Sequence, residues 1–261
     1  MTNNQPYAVY SKLLDNKLGI RHAFFGRRGG ISRGTYLSLN CSYNSDDNTN
    51  NVKENRQRAL RALGFPKGKL LTLDQIHSSR AVKVQDFWSS RNAPLADAMA
   101  TKKTGVILGI LAADCVPLLL FDDKACIIGA AHLGWRGAQA GLVKSALATM
   151  QQLGADLSYI KAVIGPAIAQ HSYEVGPEFH ESFLADNKFN DKHFIAIPNK
   201  QKFLFDLTGY IEANLNDMGI NQIDKINVDT FTSTDLFFSS RQAKHAGEKD
   251  FGRNLSVITI S

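Results

Sequence analysis

Thiols are scarce in this sequence. Its 261 residues include three cysteines, Cys41, Cys115 and Cys126, an odd and small number that excludes a disulfide framework in a chain of this length. Each thiol is therefore available for packing, metal binding or catalysis. Long apolar runs are missing too. Nothing approaches the roughly 18 uninterrupted apolar residues of a membrane span, and the polar opening MTNNQPYAVY lacks the basic-then-apolar layout of a secretory signal. A cytoplasmic protein without membrane contact is the expectation. Linker-like runs of Pro, Gly or Ser and internal repeats are also absent, so a single domain over residues 1–261 is expected. The formal charge is +6 at pH 7, yet Lys and Arg are scattered and no RNA-recognition, helix-turn-helix or zinc-finger spacing accompanies them. That argues against nucleic acid as a partner and for solubility or an anionic small-molecule substrate. No GxGxxG or Walker pattern points to a nucleotide cofactor, and GRRGG is too short to count as one.

What is present is an ordinary globular composition, 44% hydrophobic and 21% charged, with enough length to bury a large core. HAFFGRRGGISRGTYLSLN is punctuated by glycines and reads as short strands or loops. NVKENRQRALRALG has helical periodicity, with Asn50 or Asn51 as N-cap and Gly64 as the stop. LLTLDQIHSSRAVKV reads as strand, turn, strand, with His77 at the turn. Further on, AVIGPAIAQHSYEVG suggests a strand and a loop, FLFDLTGYIEANLNDMG a helix, and the tail short strands around a basic loop.

The most informative segment runs LAADCVPLLLFDDKACIIGAAHLGWRG. Two apolar runs flank Asp122, Asp123 and Lys124, which is turn chemistry, and predict an antiparallel hairpin. Centring the turn on Asp123 sets position 115 opposite position 131, which brings Cys115 beside His132, within reach of a shared metal or proton. From Gly137 to Leu153 the period changes to that of an amphipathic helix.

Three uses of this pair remain open. Cys115 and His132 are zinc ligands, with His77 as a third and a fourth position left for water or substrate; or His132 activates Cys115 as a nucleophile; or both are packing residues. Asp114 favours a site, because a carboxylate at a buried strand mouth is costly unless it pairs or orients something. It is expected to hold a histidine or polarise substrate, with a plain turn or hydrogen-bond role as the alternative. Cys41 and Cys126 are read as structural, Cys126 facing the core of its strand. The basic loops FGRRGGISR and FFSSRQAKHAGEKDFGR could hold an anion or simply face solvent.

Together these pieces resemble the DUF152 or laccase-domain family, also called the YfiH family and the multicopper polyphenol-oxidase-like proteins. The resemblance is carried by FFGRRGGIS, SLNCSYNSDDNTNNVKENR, DQIH, ADAMAT, LAADCVPLLLFD, GAAHLGWRG, GPAIAQHSYEVG, FFSSR and FGRNLS, which follow the family order over nearly the whole chain. It implies a mixed α/β (α+β) fold, YfiH-like and similar to a toxin deamidase, with a β-sandwich-like core and flanking helices. It also implies zinc held by His77, Cys115 and His132, and purine nucleoside phosphorylase activity on adenosine, inosine, guanosine and methylthioadenosine, with adenosine deaminase activity in the same site. Asn40 and Arg56 match positions associated with the pocket. Arg56, with Arg136 or Arg253, is expected to orient inorganic phosphate, and Asp114 to take part in proton traffic. A monomer or weak homodimer is expected. The rivals are a metal-free Cys115–His132 hydrolase or deamidase, a peptidoglycan-editing amide hydrolase, and a copper oxidase, the last disfavoured because one Cys and two His make a single site. Phe231, Ser240 and Leu133 depart from the family pattern and bear on substrate preference.

Overall fold

The computed structural model describes residues 5–15 and 19–260; the first four residues of the polar opening lie outside them. Along the chain run β1 (Ala8–Val9), β2 (Ile20–Phe25), α1 (Thr49–Leu63), β3 (Lys69–Thr72), β4 (Ala81–Lys83), β5 (Ala98–Thr101), β6 (Val106–Ala112), β7 (Val116–Asp122), β8 (Ile127–Leu133), α2 (Trp135–Gln139) and α3 (Leu142–Gln151). Then follow β9 (Ile160–Ile164), β10 (Glu174–Val175), α4 (Pro177–Asp186), β11 (Phe194–Ala196), β12 (Phe203–Phe205), α5 (Leu207–Asp217), β13 (Gln222–Lys225), α6 (Ser240–His245) and β14 (Asn254–Ile260). Sheet I has the order β1-β2-β14-β6-β3, sheet II the order β13-β9-β7-β8-β5-β4, and a small sheet the order β10-β12-β11. Among the described residues no helix is long and apolar enough to cross a membrane.

Side-chain alternation along the strands builds the layers. On β7, Leu119 and Phe121 face sheet I, and so do Ile128 and Ala130 on β8 and Met99 on β5; they pack against Phe24, Leu71, Leu108, Ile110 and Ile258. The alternate residues, Leu118 and Leu120 on β7 and Ile127 and Ala131 on β8, face α3 and α5. Sheet I covers its other side with α1, through Ala59, Leu60 and Leu63. The result is a sandwich of two mixed sheets with helices on both outer faces, as the resemblance implied. Strands buried on both faces explain why VPLLLF and IIGAA carry no polar alternation.

The structure moves several expected boundaries. Helix α1 begins one turn signal earlier, its N-cap Asn48 accepting the Asn50 N–H at 2.9 Å. The β7–β8 hairpin forms, but in another register: Leu118, expected opposite position 128, pairs with Ala131, and His132 pairs with Pro117. The cause is the turn. Asp122 Oδ1 accepts the N–H groups of Lys124 and Ala125, both at 2.9 Å, which draws Asp123–Cys126 into the connection. Cys126 therefore lies exposed in the turn with φ +51° and does not face the core. The single helix expected over Gly137 to Leu153 is two, α2 and α3, separated at Gly141, whose φ of +85° breaks the helical path. The tail ends in one long strand, β14, after the helix α6.

The segment read as strand, turn, strand does not form a hairpin. β3 pairs with β6 in sheet I and β4 with β5 in sheet II, so the connection carrying His77 crosses from one sheet to the other. Residues Ala113–Cys115 make a second crossing at the same end, from β6 to β7. Asp114 sits at its corner with φ +81°, in the left-handed region.

Candidate metal and substrate site

One strand and two crossings deliver the site. Alternation places His132 on the same face of β8 as Ile128 and Ala130, turned toward sheet I, and Cys115 continues the corresponding row ahead of β7. His77 comes from the other crossing, held at φ +57°. Nitrogen or sulfur donor atoms of His77, Cys115 and His132 all lie within 4.8 Å of one another. His77 Nε2 is 3.8 Å from Cys115 Sγ, and the two imidazoles stand edge to face with centroids 4.8 Å apart. His132 is buried, Cys115 partly so and His77 exposed, which leaves the group open on one side. The residue facing this group is Gly134: a Cβ there would come within 2.7 Å of His77 Cδ2, closer than such atoms sit, and 3.1 Å of Cys115 Sγ, a tight contact. Its size is thus dictated by the site, a constraint the motif GWRG contains but does not explain.

The electrostatics favour deprotonated sulfur. Burial alone would raise the Cys115 thiol, yet His132 and His77 bring it down to about 6. Against its own burial, His132 is pushed up to about 9 by Cys115 and by Asp97. Two imidazoles and a thiolate with an open side form a donor set suited to zinc. The residues present fit a metal ion.

Asp97, which sequence reasoning quoted within ADAMAT and gave no role, is the organising carboxylate. It is fully buried. Its Oδ1 accepts the His77 N–H and His132 Nδ1–H, each at 3.0 Å. Its Oδ2 accepts the Ser78 N–H at 2.6 Å, the Ser78 hydroxyl at 2.8 Å and the Ile76 N–H at 3.3 Å. Burial acts to raise this carboxyl, but the His132 and Ser78 hydrogen bonds hold it at about 2. No sequence signal marked it, since its partners lie 19 to 35 residues away.

Asp114, expected to hold a histidine or polarise substrate, bonds to no histidine among the described residues; it lines a small cavity beside Cys115 and anchors the segment leading into α6. Its oxygens accept from the Thr230 hydroxyl at 2.7 Å, the Ser239 hydroxyl at 2.9 Å and the Arg241 N–H at 2.6 Å. Burial still raises its carboxyl against those bonds. The effect is to fix Ser240 and Lys244 of α6 as a wall beside Cys115.

Two cavities meet at that wall. One, of about 460 Å³, is lined by His77, Cys115 and His132 and by the cations Arg136, Lys244 and Arg253. The other, of about 190 Å³, has Cys115, Trp135, Tyr173 and Arg241 on its walls. Arg136 and Arg253 thus line the chamber of the metal-type group. Among the described residues no carboxylate forms an ion pair with Arg136 or Lys244, whereas Arg253 pairs with Asp250 at 3.3 Å. Arg56 lines a neighbouring cavity of about 850 Å³, which adjoins the first along Asn44, Leu73 and Leu111. It is 7% exposed, stacks on Tyr43 and donates to Cys41 O at 2.7 Å. Asn40 is on the wall of none of these three cavities. Fully buried, it donates to Ser45 and Asp47 and accepts the Arg253 N–H at 3.0 Å, so it shapes the loop that carries Arg253.

Comparison with known proteins gives concordant matches. Residues 21–261 match the family model described as multi-copper polyphenol oxidoreductase laccase. A protein of Rickettsia conorii named purine nucleoside phosphorylase is 34% identical over 241 residues, 92% of this chain and 96% of its own. One of the same name from Escherichia coli K12 is 33% identical over 223 residues, 85% and 88% of the two chains. A Neisseria meningitidis protein of family DUF152 superposes with a TM-score of 0.86 at 27% identity, covering 98% of this chain and 99% of that one.

Proposed function

Because the chain belongs to the multi-copper polyphenol oxidoreductase laccase family, whose relatives in Rickettsia conorii and Escherichia coli are named purine nucleoside phosphorylases, we propose that it is a zinc-dependent purine nucleoside phosphorylase. The observation that carries the reading is the His77–Cys115–His132 group beside a chamber rimmed by Arg136, Lys244 and Arg253. The family description suggests copper and oxidation. Reducing dioxygen takes several electrons, and the described residues gather donors for one ion, so phosphorolysis is the better reading.

In phosphorolysis a phosphate oxygen bonds to C1′ of the nucleoside while the bond from C1′ to the purine nitrogen breaks. The purine leaves with the electron pair and takes up a proton. His77, Cys115 and His132 would hold an ion, which would supply Lewis-acid polarisation at this site when bound. Arg136 and Lys244, without carboxylate partners among the described residues, orient and partly neutralise phosphate, and Arg253 extends the same rim. The rings of Trp135 and Tyr173 offer flat apolar surface to a purine on the other side of Cys115. Arg56, in the adjoining cavity, serves anionic groups that reach beyond the metal chamber. Adenosine deamination belongs to the same reading as a second outcome on the same nucleoside, and methylthioadenosine, inosine and guanosine as further substrates.

The test is to incubate metal-analysed protein with adenosine, with and without inorganic phosphate, and separate the products by chromatography. Adenine and ribose 1-phosphate formed only with phosphate, by protein carrying one zinc per chain, support the proposal. No turnover of adenosine, inosine or methylthioadenosine by zinc-loaded protein overturns it. A second reading, a metal-free thiol hydrolase, draws on the low Cys115 thiol beside His132. It requires activity that survives chelation and is lost on alkylation.

A further inference from the structure

We propose that Asp97 is a positioning residue that makes His77 and His132 act as one ligating unit, setting the backbone of the first and the ring of the second from a single carboxylate. The inference rests on the reading of His77, Cys115 and His132 as metal ligands.

A buried carboxylate needs donors, and backbone N–H groups alone would satisfy it. Asp122, equally buried at the other end of β7, is held in that way by Lys124, Ala125 and Asp156. Asp97 is used differently. The N–H groups of Ile76, His77 and Ser78 converge on it as a nest. That convergence requires the left-handed conformation of His77, which a residue with a Cβ does not adopt without support. Asp97 thus holds the corner that aims the His77 ring at Cys115. The same Oδ1 also takes the His132 Nδ1 proton, so that Nε2 is the nitrogen left for ligation. Asp97 O in addition accepts the His132 N–H at 2.7 Å, fixing the end of β8 from the same residue. One residue therefore ties together two ligands whose rings stand 4.8 Å apart beside the sulfur.

Replacing it with Asn keeps the shape and removes the charge and one acceptor. An amide NH₂ must then face either the His132 Nδ1–H or the Ser78 donors, and one set loses its acceptor. The expected effect is about a 10- to 100-fold loss of metal affinity.

Zinc affinity is measured by chelator competition on wild type, Asp97→Asn and Asp122→Asn, with thermal unfolding of each. In parallel, nitrogen NMR of the zinc-loaded wild type reads which His132 nitrogen carries the proton, a measurement that needs no variant to fold. Weakened affinity in Asp97→Asn alone, with the His132 proton on Nδ1, supports the proposal. Wild-type affinity in a folded Asp97→Asn, equal losses in both variants, or a proton on His132 Nε2 overturns it while leaving the ligand reading intact. Wild type that takes up no zinc overturns the ligand reading, and the proposal with it.

Discussion

The β7–β8 hairpin has two ends, and each buries an aspartate. At the closed end Asp122 accepts three backbone N–H groups, from Lys124, Ala125 and Asp156, and its neighbour Cys126 lies exposed in the turn. At the open end Asp97 accepts backbone N–H groups, a hydroxyl and an imidazole, and the neighbouring thiol, Cys115, faces two histidines. The same residue types thus do different things. A carboxylate that collects only amides completes a turn. One that shares its oxygens between amides and a titratable ring sets chemistry. Cysteine follows the same division: an exposed turn thiol at one end, and at the other a thiol brought down to about 6 by imidazoles.

The contrast can be broken by substitution at each end. The largest effect belongs to Cys115→Ala, which removes the only sulfur donor of the group. Metal content should fall to background and phosphorolysis should vanish, while circular dichroism and thermal unfolding show a folded chain. An active, metal-loaded variant would be inconsistent with the site. Gly134→Ala comes next. Its Cβ meets His77 and Cys115, so overpacking should cost about 1–3 kcal/mol in denaturant unfolding and weaken metal binding together. Asp122→Ala at the closed end removes the charged acceptor of three backbone N–H groups and should cost about 1.5–3 kcal/mol. Activity per folded molecule should be unchanged; a selective loss of kcat would erase the distinction between the ends.

Thiol chemistry sharpens the comparison further. In metal-free Cys126→Ala protein, alkylation of Cys115 should rise with a midpoint near pH 6, because a lowered thiol is ionised above that value and protonated below it. A midpoint near 9, the ordinary thiol value, would remove the electrostatic role of the histidines. The smallest effect is that of Cys126→Ala itself, within about 0.5 kcal/mol of wild type, as for an exposed side chain away from the core.

Much of the site was legible in the sequence. Asp122-Asp123-Lys124 between two apolar runs announces a hairpin, and a hairpin brings the thiol and imidazole near each other even though the register differs. It differs because Asp122 binds forward into the turn, a choice that composition does not reveal. His77 entered in one of several readings of the Cys115–His132 pair and the resemblance singled it out, since a ligand on a crossing between sheets has no local periodicity to betray it. Asp97 was invisible for the same reason: its five donors come from Ile76, His77, Ser78 and His132, and only the fold assembles them. The helix over Gly137 to Leu153 failed on one residue, Gly141, where an amphipathic pattern runs through a left-handed break.

The two crossings at the open end have a thermodynamic consequence. His77 lies between β3 and β4, and Cys115 between β6 and β7, so both ligands come from segments that join sheet I to sheet II. In the unfolded chain these groups are scattered, and a partly folded chain with separated sheets offers no common pocket. An ion that binds them is therefore coupled to the docking of the sheets, and its binding free energy adds to the stability of the native sandwich. Metal supply would then act on the stability of the fold as well as on the chemistry of the site.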